Sequence, residues 1–105
     1  MYDKKDSAMP DYIEFETFFV ELTCEIIEER GLTHSEFGRN VFGENDGPRI
    51  WRSVRNATGN KSRRKLSLQE AYMISDTLNK NLFLTAWQNT QQQRAEKSQH
   101  PSLQQ

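Results

Sequence analysis

Between Asp11 and Gly31 apolar side chains recur at helical spacing on two sides at once. Phe15, Phe18, Phe19, Leu22 and Ile26 share one face at about 100° per residue, and Ile13, Val20, Cys24 and Ile27 form a second, roughly opposite stripe. A helix that is apolar on both sides is stable only when both sides are covered. The rest of the chain must therefore supply cover twice, with the C-terminal helix or a second subunit as the outer layer. Asp11 is placed to cap the start of this helix, predicted over 11–30. Gly31 is placed to close it in the left-handed conformation that glycine adopts without a Cβ penalty.

The following segments read as shorter helices. In T-H-S-E, residues 33–36, Thr33 and Glu36 have the spacing at which hydroxyl and carboxylate satisfy free N–H groups at a helix start. The helix is predicted over 34–42, presenting Phe37, Val41 and Phe42, with Gly43 ending it. GENDGP, residues 43–48, is a loop by composition, and Pro48 suits the first turn of a helix over 48–56. On that helix Ile50, Trp51 and Val54 cluster on one side, Arg49, Arg52, Ser53 and Asn56 on the other, and Arg55 at the edge. The wheel leaves open whether Ile50 or Trp51 is the main anchor.

ATGNKSRRK, residues 57–65, is a basic loop of small residues. Ser67 caps a further helix over 67–79, with Glu70 at its third position and Leu68, Ala71, Tyr72, Ile74 and Leu78 as its core side. A last helix begins near Asn81, with Leu82, Phe83, Ala86 and Trp87 as its apolar set. No segment alternates in the manner of a strand. The expected fold class is all-α: a compact five-helix domain over residues 11–88, preceded by an arm at 1–10. Residues 88–105, QNTQQQRAEKSQHPSLQQ, hold only Ala95 and Leu103 as aliphatics, too little apolar surface to offset the entropy of ordering. Residues 89–105 are accordingly expected to form a flexible glutamine-rich tail. The mean hydropathy of −0.91 agrees with a small core and much polar chain outside it.

Several function classes are disfavoured. His34 and His100 are the only histidines, neither has a cysteine or histidine at metal-ligand spacing, and no phosphate-cradling glycine loop or nucleophile elbow occurs. Neither enzyme activity nor a metal or cofactor is expected. Cys24 is the one cysteine, which excludes an internal disulfide, and Glu21, Glu25 and Glu28 oppose formation of its thiolate. The apolar run around Phe18–Val20 is far too short to span a bilayer, and Met1–Pro10 is polar and charged, unlike a secretory signal. The expected location is the bacterial cytoplasm, in association with the nucleoid.

The net charge of −1 conceals a sorted distribution. Residues 1–46 carry twelve of the fifteen acids and four bases, whereas no acid occurs between Gly47 and Gln69. That second stretch holds Arg49, Arg52, Arg55, Lys61, Arg63, Arg64 and Lys65, half of all Lys and Arg. Charge divided in this way implies two surfaces with different partners. Two short helices joined by a glycine turn, the second apolar on one side and arginine-rich on the other, meet the needs of a helix-turn-helix. Its first helix crosses the phosphate backbone and its second enters the major groove. Gly38 and Gly43 supply the small residue at the crossing and the turn. Arginine is the side chain best suited to bidentate contact with guanine or phosphate.

With these residues in place, GLTHSEFGRNVFG, IWRSVRN and LSLQEAYMISDTLNKNLF together resemble the lambda repressor/Cro-type helix-turn-helix domain, the XRE family. The resemblance covers roughly residues 13–87 and is most specific in G-L-T-x-S-E-F-G, residues 31–38, close to the family's G-L-T-Q-E-E-L-A. His34 replaces a glutamine that in the family commonly touches the DNA backbone. Phe37 and Gly38 match Leu-Ala, Val54 and Asn56 match the end of the recognition helix, and Leu68, Ile74 and Leu78 match the fourth helix. The chain departs from the family in an enlarged turn and an acidic first helix. It also has Ile27 and Arg55 where the family often pairs an arginine with a glutamate, which leaves Arg55 available for phosphate.

The resemblance implies a sequence-specific double-stranded DNA-binding transcriptional regulator, of repressor type, acting as a homodimer. Base contacts are expected from Asn45, Arg49, Arg52 and Ser53. Backbone contacts are expected from His34, Arg39, Arg55, Asn56, Lys61, Arg63, Arg64 and Lys65. The second stripe of the first helix (Ile13, Val20, Cys24, Ile27) and the last helix (Phe83, Trp87) are candidate dimer surfaces. The alternative on the same fold is a protein partner, as in an antitoxin or adaptor, bound through the acidic first helix. A third is nonspecific nucleic-acid binding without base readout.

Overall fold

The computed structural model describes residues 11–57 and 65–102, with side chains over 12–56 and 65–96. These residues form five helices and, among the described residues, no strand: α1 (Asp11–Glu29), α2 (His34–Phe42), α3 (Gly47–Ala57), α4 (Leu68–Leu78) and α5 (Leu82–Ser102). The basic residues Lys61, Arg63 and Arg64 lie outside the described residues, as does the arm at 1–10.

The helix boundaries are set by local hydrogen bonds. Gly31, at φ +71°, ends α1: its N–H donates to Glu28 O at 3.2 Å and the Leu32 N–H to Ile27 O at 3.0 Å. This is the pair of bonds that satisfies the last free carbonyls of a helix. Asn79 closes α4 in the same way, at φ 54°. Thr33 Oγ1 accepts from the Glu36 N–H at 3.1 Å and starts α2. Ser67 and Glu70 form a reciprocal box at the start of α4, and Asn81 Oδ1 accepts from the Leu84 N–H at 3.1 Å to start α5.

Both stripes of α1 are covered from within the chain. α1 runs along α5, and Ile13, Val20 and Ile27 are buried together with Phe19 and Ile26. The second stripe is therefore not an open dimer surface. Thr23, which an apolar count overlooks, is also completely buried, and its hydroxyl donates to Phe19 O at 2.8 Å. Thr90 on α5 does the same to Ala86 O at 3.0 Å. A hydroxyl satisfied by its own helix presents only its methyl group to the neighbour. The single core joins α1 to Phe37 and Val41 of α2, Trp51 and Val54 of α3, Ala71, Ile74 and Leu78 of α4, and Leu82 and Ala86 of α5.

Three expectations require correction. First, the glutamine-rich segment continues α5 as helix to Ser102, with only residues 103–105 lying beyond the described chain. Gln, Arg, Ala and Glu are good helix formers, and α1 borders the segment as far as Glu96. Phe18, Asn89, Gln92, Gln93 and Glu96 line a shared cleft of about 170 Å³. Second, Leu68 and Tyr72 face outward, 78% and 61% exposed, because the first turn of α4 overhangs the core that Ala71, Ile74 and Leu78 enter. Third, Trp87 is 54% exposed, while its neighbour Ala86 is completely buried. One residue is about 100° of rotation on a helix, enough to exchange core for solvent.

Candidate functional site

α2 and α3 meet at two glycines. Gly38 and Gly47 are both buried, and a Cβ built on Gly38 would lie 2.8 Å from Gly47 O and 2.9 Å from Pro48 Cα. A Cβ on Gly47 would in turn overlap Gly38 O. The helices thus cross backbone to backbone, and α3 begins at Gly47, one residue before the expected Pro48. Gly43, at φ +121°, leaves α2; its N–H donates to Arg39 O at 3.2 Å, and the Gly47 N–H donates to Gly43 O at 2.9 Å. Glycine is the residue that adopts such a φ at little cost.

The crossing delivers Trp51 into the core, where it is completely buried; Ile50 is half-buried, so Trp51 is the anchor of α3. Phe37 lies 5.1 Å from the indole at 60°, and Phe42 stacks on it at 6.0 Å and 18°. The indole N–H donates to His34 Nδ1 at 3.0 Å, and His34 Nε2 faces the Glu28 carboxylate at 3.7 Å. A buried indole needs an acceptor, and this one comes from the first residue of α2. His34, expected as a DNA backbone contact, is thereby turned toward the interior and is only half-exposed.

With Trp51 and Val54 buried, the other side of α3 faces out. Arg49, Arg52 and Asn56 are exposed, Ser53 is half-buried beside them, and Asn45 is exposed in the turn. Arg49 pairs with Asp46 at 3.4 Å, both side chains about two-thirds exposed. Such a pair at the surface contributes little stability. Arg39 on α2 is half-buried.

Arg55, expected to be available for phosphate, also packs within the domain. It is half-buried with its guanidinium carbon 5.7 Å from the Trp51 ring centre. It is also close enough to Cys24 on α1 to lower the pKa of that thiol. The physical reason is helical phase, since Arg55 follows the buried Val54 and lies on the edge that α1 covers. The net effect on Cys24 is nevertheless upward, to about 11: burial is the largest cause, followed among the raising effects by Glu28, Glu21 and Glu25.

The described chain resumes at Lys65, close to α1. Glu16 on α1 accepts the Leu66 N–H at 2.7 Å, and Lys65, exposed, holds its ammonium 5.9 Å from the Tyr12 ring. These contacts join residues about fifty positions apart, and no short-range pattern signals them. Beside them Phe15, Phe19, Leu66, Ala71 and Phe83 line an apolar groove of about 280 Å³. Of the expected DNA-facing residues, Arg49, Arg52, Ser53 and Asn56 share one side of α3. Arg55 and His34 pack inward, and Lys65 sits at the start of α1.

Among the described residues, no group of three or more His, Cys, Asp or Glu is placed to hold a metal ion. Nor, among them, is any helix long and apolar enough to cross a membrane. No family model matches the chain, and no curated protein or solved structure matches it either.

Proposed function

We propose that the chain is a sequence-specific double-stranded DNA-binding regulator in which α2, the turn and α3 act as a helix-turn-helix. The observation that carries this reading is the division of α3. Trp51 and Val54 are buried, while Arg49, Arg52 and Asn56 are exposed on the side away from them. The close crossing at Gly38 and Gly47 holds that exposed side outward as one rigid unit with α2.

In the major groove Arg49, Arg52, Ser53 and, from the turn, Asn45 meet base edges. Arg39, Asn56, Lys61, Arg63, Arg64 and Lys65 meet phosphates. Base contacts give specificity and phosphate contacts give affinity and register. The exposed Arg49–Asp46 pair opens at a cost of at most about 1 kcal/mol, so it does not withhold Arg49 from DNA. The acidic row Glu21, Glu25, Glu28 and Glu29 is exposed on α1, and in this reading it faces away from the duplex. A single unit of this size reads few base pairs, so a homodimer on an inverted repeat follows, which doubles the contact area. Of the last-helix candidates for its interface, Phe83 packs against the core while Trp87 is about half-exposed, with the similarly exposed Leu84 also on α5.

Selection from random duplexes at physiological salt tests the proposal. A defined motif is expected, with log K falling against log salt at a slope of about −4 to −5 for four to six neutralised phosphates. Arg52→Ala should relax base preference, and Lys61→Ala should weaken all sequences alike. Equal losses on selected and random DNA for both variants would contradict base reading by α3. Smooth binding without a motif would indicate a nonspecific binder, and no binding at all would favour the protein-interaction alternative through α1.

A further inference from the structure

The His34–Trp51 hydrogen bond is a directional contact between α2 and the buried side of α3. The remaining neighbours of the indole, Phe37 and Phe42, pack on it without a preferred donor or acceptor direction. The bond also defines the imidazole. Nδ1 gives its lone pair to the indole, so the proton of the neutral ring sits on Nε2, opposite Glu28 at 3.7 Å. The rings of His34 and Trp51 lie 6.3 Å apart at 30°. The charged and titratable groups around this point are Glu28 from α1 and, over the same indole, Arg55 from α3. Cys24 of α1 lies in the field of both. One imidazole thereby joins α1, α2 and α3.

We propose that His34 is a positioning residue for the recognition helix. By accepting the indole proton it sets the rotation of α3 about its own axis, and so the direction in which Arg49 and Arg52 leave the domain. At about 100° per residue Trp51 lies nearly opposite Arg49, so any turn of the indole within its aromatic box is carried directly to the arginine side. The directional role rests on the DNA-binding reading above; the tether itself is a property of the free protein.

The chemistry required differs from that of a phosphate contact. A phosphate needs a donor and favours a cation, whereas Trp51 needs an acceptor. Glutamine supplies both the acceptor for Trp51 and a donor toward Glu28, lysine supplies only donors, and leucine supplies neither.

The experiment compares the full chain with His34→Gln, His34→Lys and His34→Leu. It reads the ratio of affinities for the selected motif and a random duplex, and the indole N–H resonance of Trp51 without DNA. The Gln variant should keep the ratio. The Lys and Leu variants should each lose about five-fold, the worth of one hydrogen bond, with Lys retaining its random-duplex affinity. The indole proton should exchange slowly in the native and Gln proteins and faster in the Lys and Leu variants.

A Lys variant that keeps the ratio while Gln loses it overturns the proposal; Gln and Leu variants that lose equally on both duplexes, with Lys holding both affinities, make His34 a phosphate contact and overturn it too. An indole signal unchanged in the Leu variant overturns the tether even where DNA binding holds. A native chain that selects no motif, with the indole behaving as expected, instead refutes the DNA-binding reading and the directional role built on it.

Discussion

Replacing Gly38 with alanine tests the backbone crossing on which the site depends. In an open helix interior this change would stabilise, because alanine exceeds glycine in helix propensity by about 0.8–1.0 kcal/mol. Here the new Cβ would meet Gly47 O at 2.8 Å, Pro48 Cα at 2.9 Å and Gly47 C at 3.0 Å. All three are backbone atoms, so no side-chain rotation relieves the contact. The helices must separate by about 0.6 Å to restore ordinary van der Waals distance, and Trp51, one turn along α3, moves with them. Overpacking of this kind typically costs about 1–3 kcal/mol, and a rigid backbone neighbour puts the cost at the upper end.

Setting the propensity gain against it leaves a net destabilisation of about 2 kcal/mol. For a domain of this size that is a fall in Tm of about 8–16 °C. Urea denaturation at constant slope measures the difference. Gly31→Ala is the control: the position has open space but φ +71°, so it should lose only about 1–2 kcal/mol, through backbone strain. A Gly38→Ala protein as stable as the native chain, or more so, would show that α2 and α3 do not touch at this point.

Three further outcomes follow from the same structure. Trp51→Ala removes the largest fully buried side chain, and a loss of about 3–5 kcal/mol is expected by urea denaturation; Ile50→Ala, from a half-buried site, should cost clearly less. Glu16→Ala leaves the partly buried Leu66 N–H without its carboxylate, which should destabilise by about 1–2 kcal/mol and speed amide exchange at Leu66; unchanged exchange there would rule out the tether. The Cys24 thiol, raised to about 11 by burial and by Glu28, Glu21 and Glu25, should react with alkylating reagents much more slowly at neutral pH than in the unfolded chain. Because its folded pKa lies above the unfolded value of 9.0, its contribution to stability is complete below about pH 9 and is lost as pH rises through about 11. A Cys24→Ala protein should lack that alkaline component, and an unchanged alkaline limb would refute it.

The parts of this protein legible in its sequence are those decided within four or five residues. Thr33, Ser67, Asn81 and Gly31 bond to groups a fraction of a turn to one turn away, so helix starts and stops at these points follow from residue type. The two-sided burial of α1 and the outward arginine side of α3 follow equally from periodicity, because helical phase is a local property.

Other features depended on what another element brings. Residues 89–102 have no apolar reason of their own to be ordered, yet α1 lies beside α5 and Thr90 is buried. Ile50 and Trp51 stand one helical step apart, and only the arrival of Phe37, Phe42 and His34 from α2 makes Trp51 the anchor. Arg55 is basic and near the exposed edge by sequence, yet it packs over Trp51 and toward Cys24. Gly47 reads as loop until Gly38 is found opposite it. Local hydrogen bonding and helical phase determined where the helices lie along the chain and which side of each is apolar. Which residues at the margins of those sides are covered was decided by distances between helices far apart in sequence, because burial and contact are properties of two surfaces and the sequence of either one describes only half of them.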